Sequence, residues 1–185
     1  LESALAIDPT DPEALAWLTA VHMVQADYGR ARTACERLAS VASPLLGSAC
    51  RAQVDAATGG LHRAYEGLTA ALRANPAARA SLRQWVRVLL AEMAERLGRA
   101  RDAEEHYRGA MALGDPDQYL LAAFAEFLIE QRRPAEAAAM LRGRERSDTL
   151  LLLLARALRA TGSTDAERLS AVLQNRYAEA ARRSS

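Results

Sequence analysis

The chain has 185 residues, 24 Lys+Arg against 23 Asp+Glu and a formal net charge of +1, so charge alone suggests neither a nucleic-acid binder nor an acidic chaperone. Half of its residues are hydrophobic yet only 5% are aromatic, because alanine supplies much of the apolar count; that favours helix and close interhelical approach over a bulky core. No apolar run is long enough to cross a membrane: the most apolar stretch, Leu150 to Ala155, is flanked by Asp148 and Arg156.

In chain order, residues 1–7 read as the last two turns of a helix whose partner is missing, so the chain is expected to be a segment of a longer bacterial polypeptide. Asp11, with Pro12 at the first helical position, opens the next helix, which runs to about Gln25. Ala26-Asp27-Tyr28-Gly29 leads into a second helix ending near Val41. Pro44 starts a third, through Ala57, and Gly59-Gly60 is the clearest turn. His62 to Ala74 forms a fourth, ending at Asn75-Pro76. A longer helix follows, from about Ala78 to Arg96, with Leu82, Val86, Leu89, Leu90, Met93 and Leu97 as its buried stripe. Between Gly98 and Pro116 the spacing puts Ala103, Tyr107, Ala110 and Leu113 on one helical face. The remaining helices are Asp117 to Gln131, Pro134 to Arg144, Thr149 to Arg159 and Asp165 to about Arg182. The last is expected to close the stack, with Leu169, Val172, Leu173 and Tyr177 turned inward and Arg168, Gln174, Arg176 and Arg182 away. No segment alternates apolar and polar residues at period two, so the fold class is all-α.

The helices come in pairs. Ala31, Ala64, Ala103, Ala137 and Ala166 each open a second helix shortly after a breaker, at spacings of 33, 39, 34 and 29 residues. A period near 34 residues marks a helical-hairpin repeat. On these residues the chain resembles the tetratricopeptide repeat (TPR) family. The match is closest over Leu121, Phe124, Ala125, Leu128, the break at Arg132-Arg133-Pro134 and Ala137, and over Leu15, Leu18, Asp27-Tyr28-Gly29-Arg30-Ala31 and Leu38. Pro9, Pro44, Pro76 and Pro116 stand at the family's boundary prolines. The glycine usual in the first helix is replaced by Thr19, Ala52, Ala91, Ala125 and Leu154. The resemblance implies one domain over residues 1–185, a right-handed superhelical stack of antiparallel helix pairs. Its units would be a half repeat at 1–9 and repeats at about 11–43, 44–76, 77–116, 117–147 and 148–183.

No catalytic constellation is visible. His22, His62 and His106 lie on different pairs without a cysteine or second histidine at ligand spacing, and each is expected as a partly exposed helix residue. Gly59-Gly60 lacks the lysine of a phosphate loop, and Ser40, Ser43, Ser48, Ser81 and Ser163 sit near helix ends, where serine caps. No metal and no cofactor are expected. Arg142, Arg144 and Arg146, near Arg132 and Arg133, form the densest basic region and read as helix C-terminal charge facing the macrodipole. Cys35 and Cys50 are equally distant from the turn at residues 42–43 and so lie at one height, which a bridge requires; two buried free thiols are the expected state. The sequence does not fix the compartment; the cytoplasm is slightly favoured over the periplasm.

Proteins of the resembled family are mostly peptide- and protein-binding adaptors whose first helices line a concave groove. The chain is therefore expected to be a non-enzymatic interaction module, with an RNA-binding helical repeat or the docking domain of a larger enzyme as alternatives. The predicted groove residues are Trp85, Glu92 and Glu95 with Val88 in the third pair, Tyr119, Glu126 and Glu130 with Ala122 and Ile129 in the fourth, and Arg156 and Arg159 in the fifth. An apolar shelf beside an acidic strip suits a protein or peptide segment with apolar and basic residues; nucleic acid and membrane insertion are not expected, and the oligomeric state is open.

Overall fold

A computed structural model describes residues 2–183. Eleven helices carry the chain among the described residues, and no strand occurs there. They are α1 (Glu2–Ile7), α2 (Pro12–Val24), α3 (Tyr28–Val41), α4 (Pro44–Ala57), α5 (Leu61–Ala74), α6 (Ala80–Arg96), α7 (Ala100–Met111), α8 (Gln118–Glu130), α9 (Pro134–Leu141), α10 (Asp148–Ala160) and α11 (Asp165–Arg183). The chain forms two compact units, residues 1–114 with α1 to α7 and residues 115–185 with α8 to α11.

Short polar caps set the helix starts. Asp11 accepts from the Glu13 N–H, Asp27 from Arg30, Ser43 from Leu46, Asp117 from Leu120 and Ser147 from Leu150. Each occupies donors that the first helical turn leaves unpaired. Pro12, Pro44 and Pro134 start helices where the missing N–H costs nothing.

The turn inside every pair is the same device. Ala26, Gly59, Gly98, Arg132 and Gly162 all have positive φ. The residue after each returns its N–H to a carbonyl five back: Asp27 to His22, Gly60 to Asp55, Arg99 to Ala94, Arg133 to Leu128 and Ser163 to Leu158. This is the left-handed helix stop, normally a glycine position; Ala26 and Arg132 adopt it despite a Cβ. Counting seven residues back from each turn gives Thr19, Ala52, Ala91, Ala125 and Ala155. The fifth pair's small position is therefore Ala155, one residue beyond the predicted Leu154.

In residues 1–114, α2 packs on α3, α4 on α5 and α6 on α7, while α3 meets α4, α5 meets α6, and the first helices α2, α4 and α6 touch in succession. Leu5 of α1 joins Ala14, Leu15, Ala31, Cys35, Leu38, Cys50 and Val54 in one core cluster. Leu1 lies outside the described residues. In residues 115–185, α8 packs on α9 and α10 on α11, with α10 also against α8 and α9. The five alanines at the starts of the second helices are all buried. Along α6, Leu82, Leu89 and Leu97 are only half-buried, whereas Val88, Ala91 and Ala94 are fully so. Contact with α4 and α5 as well as α7 gives α6 a buried arc wider than one stripe.

Further expectations are corrected. Cys35 and Cys50 form a disulfide, with their Cα atoms 5.5 Å apart, that joins α3 to α4. Equal height was available from spacing; that the two side chains point at each other was not. Tyr177 is 63% exposed instead of facing the stack, and no described residue of α11 beyond Leu173 is buried. Arg176, expected to point away, reaches back to Asp148 at the start of α10, 2.6 Å away.

Candidate functional site

The repeated turn supplies a common register for the first helices, and it sorts the predicted groove residues. Trp85 and Tyr119 stand thirteen residues before their turns, and Glu92, Glu126 and Arg156 six before. Within residues 115–185, Arg156 and Glu126 meet across α10 and α8 at 3.6 Å, so equal register positions on neighbouring first helices do face one another. Both are exposed, and a pair of that kind is worth at most about 1 kcal/mol. Ala122 and Leu152 lie one turn before Glu126 and Arg156 on the same faces; Leu152 is exposed, and Tyr119, two turns before Glu126, is 58% exposed. Glu130 is exposed at the C-terminal end of α8, and Ile129 is half-buried. In residues 1–114, Trp85 is 37% exposed on α6 and Glu92 is half-buried two turns on, but Val88 between them is buried.

Glu95 and Arg159 belong elsewhere. Both stand three residues before their turns, and both engage the second helix of their own pair. The Tyr107 hydroxyl of α7 donates to Glu95 Oε1 at 2.6 Å, and Arg159 donates to Ser170 Oγ of α11 at 2.9 Å. Register explains the pattern: that position points into its own hairpin, so a polar side chain there becomes an internal clasp. A further apolar stripe, outside the predicted groove residues, is exposed on α2 through Trp17, Val21 and Val24.

On the second helices of residues 1–114 the chemistry differs. His106, expected to be partly exposed, is 9% exposed on α7 and packs edge-on against Tyr65 of α5, with Nε2 3.1 Å from the phenol oxygen. Arg99 lies 5.3 Å from the centre of the same Tyr65 ring, a cation–π distance. Burial, and after it the positive charge of Arg87, holds the His106 pKa below its ordinary value, against the opposing pull of Glu105 and Asp102 on α7. Arg73 of α5 adds a weaker lowering influence. A folded pKa below the unfolded one means that the unfolded chain takes up the proton more readily. Stability is therefore expected to fall as pH drops below about 6.5, the ordinary histidine value, and to level off beneath the folded pKa. Denaturant titrations between pH 7.5 and 5.5 should show this slope in the wild type and lose it in His106→Gln; equal slopes in both would remove His106 as its source.

Among the described residues no group of three His, Cys, Asp or Glu side chains is placed to hold a metal ion, and no helix is long and apolar enough to cross a membrane.

No family model matches the sequence, and no curated protein matches it. Solved structures do. The crystal structure of a single-substitution variant of a Podosopora anserina kinesin-light-chain-type protein with nearly identical TPR-like repeats superposes with a TM-score of 0.71 at 18% identity, over 94% of this chain and 98% of that one. The crystal structure of the same protein without that substitution gives 0.71 and 18%, over 93% and 97%. At that identity the likeness is one of fold. With its five equivalent turns and paired helices, the chain folds as a TPR-like helical repeat protein.

Proposed function

We propose that the chain is a non-enzymatic protein-interaction scaffold that holds a segment of a partner protein on the exposed faces of its first helices. The observation that carries this reading is the α8–α10 face. There Tyr119 and Leu152 offer apolar surface beside Glu126, Glu130 and Arg156, on helices fixed by a buried core rather than on loops. Solvent-exposed aromatic and aliphatic side chains bordered by charge are the usual material of an interface centre and rim. Trp85 on α6 supplies a comparable anchor in residues 1–114.

Carboxylates outnumber arginine on the α8–α10 face, so the fitting segment carries apolar and basic residues. Selection of a displayed random-peptide library on the purified chain should enrich such sequences. Glu126→Lys should weaken the selected peptides by tenfold or more, about 1.4 kcal/mol, through repulsion and the lost charge match. Trp85→Ala should weaken those that dock on α6, and neither change should alter the helical content. Binders indifferent to both substitutions would move the interaction off the first-helix faces.

A further inference from the structure

Residues 1–114 carry an unassigned basic cleft between α5, α6 and α7. A cavity of about 180 Å3 opens where α5 and α7 flank the N-terminal half of α6, lined by Thr69, Arg73, Arg83, Arg87, Glu105 and His106. Arg83 and Arg87 stand one turn apart on α6 and share a face, and Arg73 reaches the cleft from α5. Some arginines find a carboxylate, as Arg32 does with Asp55, Arg108 with Glu104 and Arg176 with Asp148. Among the described residues none of these three forms an ion pair or a side-chain hydrogen bond. Glu105, on the same rim, pairs with none of them.

Two further observations point to a missing anion. Nε of Arg83, Nε of Arg87 and Nδ1 of His106 are buried without a hydrogen-bond partner. His106 as a whole is more than nine-tenths buried, and its Nε2 is already engaged by Tyr65. Buried polar atoms are nearly always paired, and unpaired ones beside an open cavity call for water or an ion. The α7 backbone also makes room for a guanidinium: a Cβ on Gly109 would come within 2.8 Å of Arg87 Cζ. Glu105 is the one carboxylate of the lining against three guanidinium groups, which leaves the cleft net positive.

We propose that this cleft binds a phosphate-class oxyanion, held by the guanidinium groups of Arg73, Arg83 and Arg87 with the Thr69 hydroxyl as a neutral donor. A tetrahedral dianion offers the several acceptor oxygens that forked guanidinium donors need, and arginine grips it in two-point contacts that lysine cannot make. The same chemistry is presented by free phosphate and by a phosphorylated serine. The cleft draws on α5, α7 and the face of α6 that carries Arg83 and Arg87; neither Trp85 nor Glu126, the residues that test the partner face, lines it, so either reading can fail without the other.

The test is calorimetric titration of the purified chain in chloride buffer at constant ionic strength, with inorganic phosphate, O-phosphoserine and serine. Saturable binding of phosphate, and none of serine, is expected. Arg87→Gln and Arg73→Gln should each weaken it by about tenfold, the scale of one lost charge-assisted contact. Arg101→Gln, which removes an exposed α7 arginine outside the cleft, should leave it unchanged. Arg73 is exposed, so its substitution keeps the fold and decides the matter even if Arg87→Gln does not fold. Binding of O-phosphoserine alongside phosphate would support a phosphorylated side chain as the source, and binding of phosphate alone a free anion. No saturable binding of either, or equal weakening by Arg101→Gln, would overturn the site.

Discussion

Alanine in place of Tyr107 is expected to destabilise residues 1–114 by about 3–5 kcal/mol, the usual cost of emptying a large aromatic site in a core. The ring is 1% exposed on α7 and cannot be replaced by solvent without opening the α6–α7 contact. Tyr107→Phe keeps the ring and removes only the donor to Glu95, so it should cost about 1–2 kcal/mol. Urea unfolding followed by circular dichroism separates the two contributions. If the phenylalanine variant lost as much as the alanine one, the clasp to Glu95 and not the packed ring would hold this hairpin. A loss below about 1 kcal/mol for alanine would contradict the buried placement altogether.

The second large effect lies at the disulfide. Cys35 and Cys50 are 15 residues apart, and closing a loop of that size is worth about 3 kcal/mol through the unfolded chain. Reduction, or the double change Cys35→Ala with Cys50→Ala, should lower the unfolding midpoint accordingly. The chain unfolded without reductant should take up no alkylating agent, and after reduction it should take up two equivalents. Alkylation before reduction would restore the free thiols expected from the sequence. A bond of this kind persists in oxidising surroundings, so the alkylation result bears on compartment as well.

Much of the architecture was legible because it is written in local chemistry. Asp11-Pro12, Ser43-Pro44 and Gly59-Gly60 announce helix ends to within a residue or two, and small residues at the second-helix starts announce close packing. The misplacements came where an outcome depends on direction in space. Val88 is buried because α6 touches helices on several sides, and Tyr177 is exposed because α11 runs on past its last buried leucine. Glu95 and Arg159 fell one register position away from the first-helix face, which only the aligned turns reveal. No spacing rule could have assembled Arg73 with Arg83, Arg87 and His106, since they come from three helices and share no motif. The sequence neighbours of His106 do not set its environment; Tyr65, 41 residues earlier, does.

The disulfide does not close a hairpin on itself; it ties α3, the last helix of one pair, to α4, the first of the next. In a helical-repeat stack each pair contacts only its neighbours, so the seams between pairs set how far one can shift against the next. Here one seam is riveted. Under tension the first two pairs would move as a single stiff link. Reducing surroundings would return the lost compliance without changing a residue.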